Sequence, residues 1–208
     1  MSGAPIKELV LATRNRHKGE ELASILGGLG IQIRTLGDFP MAPEVEEDGL
    51  TCEANAIKKA TEIARATELT AVADDTGLEV KALGGKPGVF AARYAGAHAT
   101  YEDNCLKLLN ELAGVPQSER IATFVTVAAL VSPEGVVRTT RGVLEGVITE
   151  ECRGDRGFGY DPVFLVPELG KTLAELTPEE KNRISHRAKA FGQLREILNS
   201  VSTAPLPR

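Results

Sequence analysis

The chain has 208 residues, which suits one sizeable domain or two small lobes and allows a real core. Hydrophobic content of 42% and charged content of 25% are those of a soluble globular protein, and a net charge of −5 excludes a broad basic field for nucleic acid. No apolar run is long enough for a membrane helix, and no basic start precedes an apolar region, so a cytoplasmic protein is expected.

Residues 6–12 (IKELVLA) read as a first strand, and Thr13-Arg14-Asn15-Arg16-His17 as a polar turn. Residues 18–26 have helical spacing, with Leu22, Ile25 and Leu26 on one face and glycines ending the helix. A short strand over 31–36 follows, then an acidic loop to Gly49 holding Glu44, Glu46, Glu47 and Asp48. Thr51 is expected to cap a helix running to about Thr67, with Ile57, Ala60, Ile63 and Ala64 inward. A buried strand is then expected to end at Asp74-Asp75-Thr76-Gly77, followed by a separate short strand over 78–83 and a glycine-rich stretch over 84–96. A helix over 101–112 precedes two long β-rich runs, 121–131 and 136–148, joined by the hairpin turn Ser132-Pro133-Glu134-Gly135. The last third offers a glycine-punctuated loop over 153–162, a short strand over 163–166, and a capping box at Thr177-Pro178-Glu179-Glu180. A final helix over 187–198 closes the chain, residues 1–201 form a single two-lobed domain, and 202–208 read as a frayed tail.

Several segments bear chemistry. Adjacent carboxylates on an apolar strand are expensive unless cations or donors offset them, and neighbouring side chains point to opposite faces, so Asp74 and Asp75 are free to hold different jobs. Thr13, Asn15 and Lys18 lie between a strand and a helix, where free N–H groups suit phosphate. Magnesium takes one or two carboxylates with waters and phosphate oxygens, so Glu46 or Glu47 is a third candidate. Of the Lys58–Lys59 pair, Lys58 reads as surface and Lys59 as the candidate phosphate cation. In Gly157-Phe158-Gly159-Tyr160-Asp161-Pro162, glycines flank aromatics, which suits a base-stacking platform. Lys181 and Ser185-His186-Arg187 supply donors for a purine carbonyl or a phosphate. The odd, widely spaced Cys52, Cys105 and Cys152 argue against disulfides or a zinc knuckle.

Taken in order, these segments closely resemble the inosine triphosphate pyrophosphatase family over nearly the whole chain. The resemblance is carried by Leu11-Ala12-Thr13-x-Asn15-x-x-Lys18, Glu46-Glu47-x-Gly49-Leu50-Thr51, Glu53-x-Asn55-Ala56 and Ala73-Asp74-Asp75-Thr76-Gly77-Leu78. It continues through Leu83-Gly84-Gly85-x-Pro87-Gly88, Ala92-Arg93-Tyr94, the Gly157–Pro162 segment and Lys181-x-x-x-Ser185-His186-Arg187. Thr76 stands where the family often has serine, which keeps the hydroxyl.

The resemblance implies an α/β fold in which an elongated mixed β-sheet, flanked by helices, spans two lobes with a nucleotide cleft between them. It implies Mg²⁺-dependent hydrolysis of ITP, dITP or XTP to the monophosphate and pyrophosphate, by a homodimer with no nucleic-acid or membrane partner. Asp75 would be the general base, with Glu47, Asp74 and Asp75 as the metal set. Thr13, Asn15, Lys18, Lys59 and Arg93 would hold the triphosphate side, and Thr76 would be a further substrate-binding residue. Phe158, Gly159, Tyr160, Asp161, Lys181, His186 and Arg187 would hold the base, with cationic donors favouring 6-keto purines over adenine. Two rivals lose ground on the same residues. An aspartic protease needs a second Asp-Thr-Gly, or a much shorter dimerising chain. A non-catalytic nucleotide sensor would not keep Glu47, Asp74 and Asp75.

Overall fold

In a computed structural model, which describes residues 6–202, strand β1 (Glu8–Leu11) pairs in parallel with β2 (Gln32–Thr35) and β3 (Thr70–Val80). Helix α1 (Arg16–Leu26) connects β1 to β2, and α2 (Cys52–Thr67) leads into β3. The short β4 (Pro87–Gly88) pairs antiparallel with β3. Helix α3 (Tyr101–Glu111) precedes β5 (Ile121–Val131) and β6 (Val137–Ile148). Then come β7 (Phe164–Val166), β8 (Lys171–Thr172), α4 (Pro178–Ile184) and α5 (His186–Ser202). The mixed eight-stranded sheet has the order β2-β1-β3-β5-β6-β7-β8, with β4 beside β3. Ser202 ends α5, and the remainder of the expected tail, 203–208, lies outside the described residues.

One expected boundary fails. The strand through Asp74 and Asp75 does not end at the carboxylates: β3 runs on to Val80, and the separate strand at 78–83 is its continuation plus a 3-10 turn, Lys81–Leu83. Asp-Asp-Thr-Gly has turn composition, but here its carboxylates have partners that make an extended, buried path tolerable. β6 begins at Val137 and β7 at Phe164, each one residue later than expected, and α1 begins two residues earlier, because Asn15 caps it.

The chain divides into two units. One is Met1–Asp75, Val127–Gly142 and Ala188–Arg208; the other is Thr76–Thr126 and Val143–Arg187. In the first unit, period-two alternation sorts strand residues between two cores. Val10, Ala71, Ala73, Val127 and Ala129 pack with Ala56, Ala60 and Ile63 of α2. Leu9, Leu11, Val72, Ala128 and Leu130 pack with Leu22 and Leu26 of α1 and with Phe191 and Leu194 of α5. The first core is alanine-rich, so α2 approaches the sheet closely. The second unit has one core, in which Leu108 and Leu112 meet Leu78, Val80, Phe124, Ile148 and Phe164. Arg120, buried at the start of β5, donates to the carbonyls of Leu112, Val115 and Thr149, tying the end of α3 to the end of β6.

Candidate active site

Lys18, Lys59 and Glu47 of the first unit converge on the carboxylate segment of β3. Asp74 and Asp75 are 1% and 5% exposed, an expensive placement that opposite charges must offset. Lys18, in the first turns of α1, brings Nζ to 3.2 Å from Asp74 Oδ2. Lys59, on α2, donates to Glu47 Oε1 at 2.5 Å and to the Asp74 carbonyl at 2.6 Å. Burial works against the Lys59 ammonium, but Asp74, Glu47 and Asp75 together outweigh it and hold its pKa above the ordinary lysine value. Burial pushes the Asp75 carboxyl above the usual carboxylate range, and Glu47 adds to that; Lys59, Lys18 and the Asn55 amide pull the other way. Glu46 is exposed, while Glu47 is partly buried. Lys58 pairs with Asp48 at the surface, 2.8 Å apart.

Asn55 is a further member that the motif reading quoted but gave no role. It is buried on α2, one turn before Lys59; its amide nitrogen donates to Asp75 Oδ2 at 3.0 Å and its carbonyl oxygen accepts from the Gly49 N–H at 2.7 Å. A Cβ on Gly49 would lie 2.5 Å from Asn55 Oδ1, so glycine is required for this approach. The signal was present: an asparagine among the inward positions Ala56, Ala60 and Ile63 is a polar group that needs a buried partner. Asn15 is the N-cap of α1 and accepts from the Lys18 N–H at 3.3 Å, while Thr13 Oγ1 accepts from the Asn15 N–H. Thr13 and Asn15 also line a cavity of about 500 Å³ with Leu11, Arg14, Thr35 and Leu36.

Among the described residues, no three His, Cys, Asp or Glu side chains are gathered tightly enough to hold a metal as they stand. Asp74 Oδ2 and Glu47 Oε1 are each met by a lysine ammonium group.

The second unit assembles an aromatic and cationic group. Phe158 is half-buried, with Lys181 Nζ 4.7 Å and Arg187 Cζ 5.4 Å from its ring centroid. Asp161 Oδ2 accepts from Lys181 Nζ at 2.6 Å and from the Phe158 N–H at 2.8 Å, so this carboxylate braces the loop. Gly157 has φ +73°, and a Cβ there would stand 2.1 Å from Asp161 Oδ2, so only glycine closes the turn. Tyr160 points into the core and donates from Oη to the Ala91 carbonyl, and the Gly159 carbonyl accepts from Cys105 Sγ. Arg93 lies over the Phe90 ring at 5.1 Å. His186 and Arg187 are 3% and 2% exposed, at the start of α5. Arg187 Nη2 donates to Thr76 Oγ1 at 3.2 Å, Thr76 Oγ1 is 2.7 Å from Thr126 Oγ1, and Thr126 Oγ1 is 2.6 Å from His186 Nδ1. The sequence reading did not single out Thr126, one of two threonines in the otherwise apolar run 121–131.

The arrangement offers cations and a buried carboxyl in one unit, and a ring with fixed donors in the other. Comparison with known proteins gives it a context. The Ham1 family model matches residues 9–197. A dITP/XTP pyrophosphatase of Geobacter sulfurreducens is 54% identical over 91% of this chain and 96% of its own length. Another, from Lactiplantibacillus plantarum, is 52% identical over 89% of this chain and 92% of its own length. Among solved structures, a HAM1 protein from Coxiella burnetii aligns with a TM-score of 0.86 at 43% identity, covering 94% of this chain and 100% of that one.

Proposed function

Because the chain belongs to the Ham1 family, we infer that it hydrolyses non-canonical purine nucleoside triphosphates, ITP, dITP and XTP, to the monophosphate and pyrophosphate. The role is removal of these nucleotides from the pool. The observation that carries the reading is the first-unit cluster: a buried Asp75 with a raised pKa beside two ammonium groups, Lys18 and Lys59. That combination suits proton removal next to a polyanion.

In this mechanism Asp75 takes a proton from the water that attacks the α-phosphorus. Asn55 orients it through the bond to Oδ2. Lys18, at the start of α1, together with Thr13 and Asn15, holds phosphate oxygens, and Lys59 counters the charge on the leaving pyrophosphate. Arg93 is assigned to the phosphate side on family resemblance. Glu47, Asp74 and Asp75 are hard oxygen donors of the kind magnesium prefers, and Mg²⁺ when bound supplies charge neutralisation on the triphosphate. Phe158 stacks on the purine, and Lys181, His186 and Arg187 donate to its keto edge, with Thr76, Gly159, Tyr160 and Asp161 shaping that side. Lys18 and Lys59 belong to the first unit, and Phe158, Lys181, His186 and Arg187 to the second. The reading extends to a cytoplasmic homodimer.

A pyrophosphate-release screen over nucleoside triphosphates, with Mg²⁺ and with excess EDTA, tests it. Release from ITP, dITP and XTP with Mg²⁺ alone is expected, rising toward alkaline pH as the attacking water gains hydroxide character. Full activity in EDTA would remove the metal assignment, and orthophosphate as the product would remove the reaction.

A further inference from the structure

Two of the three cysteines, distant in sequence, meet beside the loop that carries Phe158. Cys105 is buried on α3, and Cys152 is exposed in the loop after β6; both belong to the second unit. Their side chains are in hydrogen-bond contact. Cys105 Sγ also donates to the Gly159 carbonyl at 3.3 Å. A thiol has one proton to give, so it serves Gly159 while Cys152 is protonated, and a Cys152 thiolate competes for it.

Helix α3 meets the loop twice on one face. One turn before Cys105, the Tyr101 ring lies 5.9 Å from the Phe158 ring. Cys152 stands at the neck of the same loop: it directly precedes Arg153, whose N–H donates to the Pro162 carbonyl at 2.9 Å. A bond between the two sulfurs would join this neck to α3 and take the thiol donor away from Gly159.

We propose that Cys105 and Cys152 are an oxidisable pair, a modification site that closes to a disulfide and loosens the loop around Phe158. The oxidant is a hydroperoxide, hydrogen peroxide in the simplest case. Peroxide reaches the exposed Cys152 first. Its thiolate attacks one peroxide oxygen, the O–O bond breaks, and the hydroxide that leaves takes up a proton to become water. Cys105 then loses its proton to solvent, and its sulfur attacks the sulfenic acid on Cys152. The S–S bond forms, the S–O bond breaks, and a second water leaves. Two thiols lose two electrons and two protons, and one peroxide becomes two waters. Closure brings the sulfurs to about 2.05 Å, and the surface loop carrying Cys152 is the side with room to move. Burial pushes the Cys105 thiol up to about 12 and raises Cys152 as well, with the charge of Glu102 adding to both and that of Asp161 to Cys105. The pair is held as neutral thiols at neutral pH, so closure is slow there and quickens with rising pH. The consequence for nucleotide binding rests on the purine triphosphate reading: a loosened loop weakens the base side and spares the phosphate side.

The test uses full-length protein carrying Cys52→Ser, which leaves Cys105 and Cys152 as its only cysteines. It is treated with hydrogen peroxide at alkaline pH and mapped by mass spectrometry of unreduced peptides. A linked Cys105–Cys152 peptide is expected, reversed by dithiothreitol. In the bridged form, amide exchange over residues 157–161 should rise. Binding of inosine monophosphate, measured by calorimetry, should weaken about threefold to tenfold, the scale of one neutral hydrogen bond. Binding of pyrophosphate should stay within about twofold. Cys152→Ser should bind inosine monophosphate as the reduced parent does and be insensitive to peroxide, whereas Cys105→Ala should bind it weakly without peroxide. Should Cys105→Ala fail to fold, the parent and Cys152→Ser carry the comparison. Absence of the linked peptide, with Cys152 left as thiol or carried on to sulfinic acid, overturns the proposal. So does a bridged form in which exchange or monophosphate binding is unchanged, or in which pyrophosphate binding is weakened equally. A wild type that releases no pyrophosphate from any purine triphosphate would defeat the proposed function, and the peptide map and the exchange would still decide the pair.

Discussion

Asp75 is held under opposed demands, and both are measurable. Its carboxyl is pushed up by burial, so the folded protein favours the protonated form more than the unfolded chain does. The sign follows from proton counts. As pH rises from the unfolded value toward the raised folded value, the native state holds the extra proton, and stability falls with rising pH. In metal-free buffer, Asp75→Asn should therefore leave the melting temperature at neutral pH equal to or above that of the wild type, and should flatten its decline with rising pH. Turnover should drop about 10²–10⁴-fold, the usual contribution of a general base. Near-normal turnover at saturating Mg²⁺ would remove Asp75 as the base. Arg187 makes a second test at this scale. If it donates to the 6-keto oxygen, Arg187→Ala should lower the ITP rate and barely change the ATP rate. The ITP-to-ATP ratio should fall about tenfold to a hundredfold, as a charged hydrogen bond of roughly 1.5–3 kcal/mol implies. Steady-state kinetics beside a melting curve separates this from a phosphate contact, which would lower both rates alike. The charged residues were legible because charge in an apolar strand is conspicuous. Asn55 and Thr126 were harder: neither is charged, and what each does depends on partners 20 and 60 residues away.

Elements were legible where their ends are chemically marked. Thr51 caps α2 through the Ala54 N–H, and Thr177 with Glu180 closes a capping box on α4, as read from sequence. β3 was cut short because Asp-Asp-Thr-Gly carries turn residues, and local composition cannot report that Lys18 and Asn55 arrive to satisfy the carboxylates. β4 and β8 are two residues each, too short for any periodic signal. Arg120 illustrates the same limit from the stability side. It precedes a strand with no motif around it, yet its guanidinium donates to three carbonyls, two of those bonds fully buried. Arg120→Ala would leave acceptors without their donor at a cost of about 1–3 kcal/mol each. A loss of at least 3 kcal/mol is expected, which at about 2–4 °C per kcal/mol for a chain of this size lowers the melting temperature by roughly 6 °C or more. Thermal denaturation checks it, and a drop of under about 2 °C would mean water replaces the guanidinium at little cost.

At the scale of the whole molecule, the distribution of chemistry between the two units predicts a separable pattern of product binding. Lys18, Lys59 and the acidic residues that meet them belong to the unit containing residues up to Asp75, whereas Phe158, Lys181, His186 and Arg187 belong to the other. A triphosphate splits into pyrophosphate and a nucleoside monophosphate, and in the proposed mechanism each product keeps mainly one set of contacts. With a net charge of −5, the chain has no general attraction for either anion, so affinity must come from these local groups. Lys18→Met removes a charged donor from the phosphate side. It should weaken pyrophosphate inhibition about tenfold to a hundredfold, following the worth of a charge-assisted hydrogen bond. Inhibition by inosine monophosphate should change far less. Phe158→Ala removes the stacking face and should do the reverse, weakening the monophosphate by the roughly 1–3 kcal/mol that base–aromatic stacking supplies. The double variant should show additive losses, because the two side chains belong to different units. Inhibition constants for both products against the two single variants and the double variant provide the measurement. Equal weakening of both products by either substitution would show that the phosphate and base sides are not divided between these groups, and the assignment of Lys18 to phosphate and Phe158 to base would fall together.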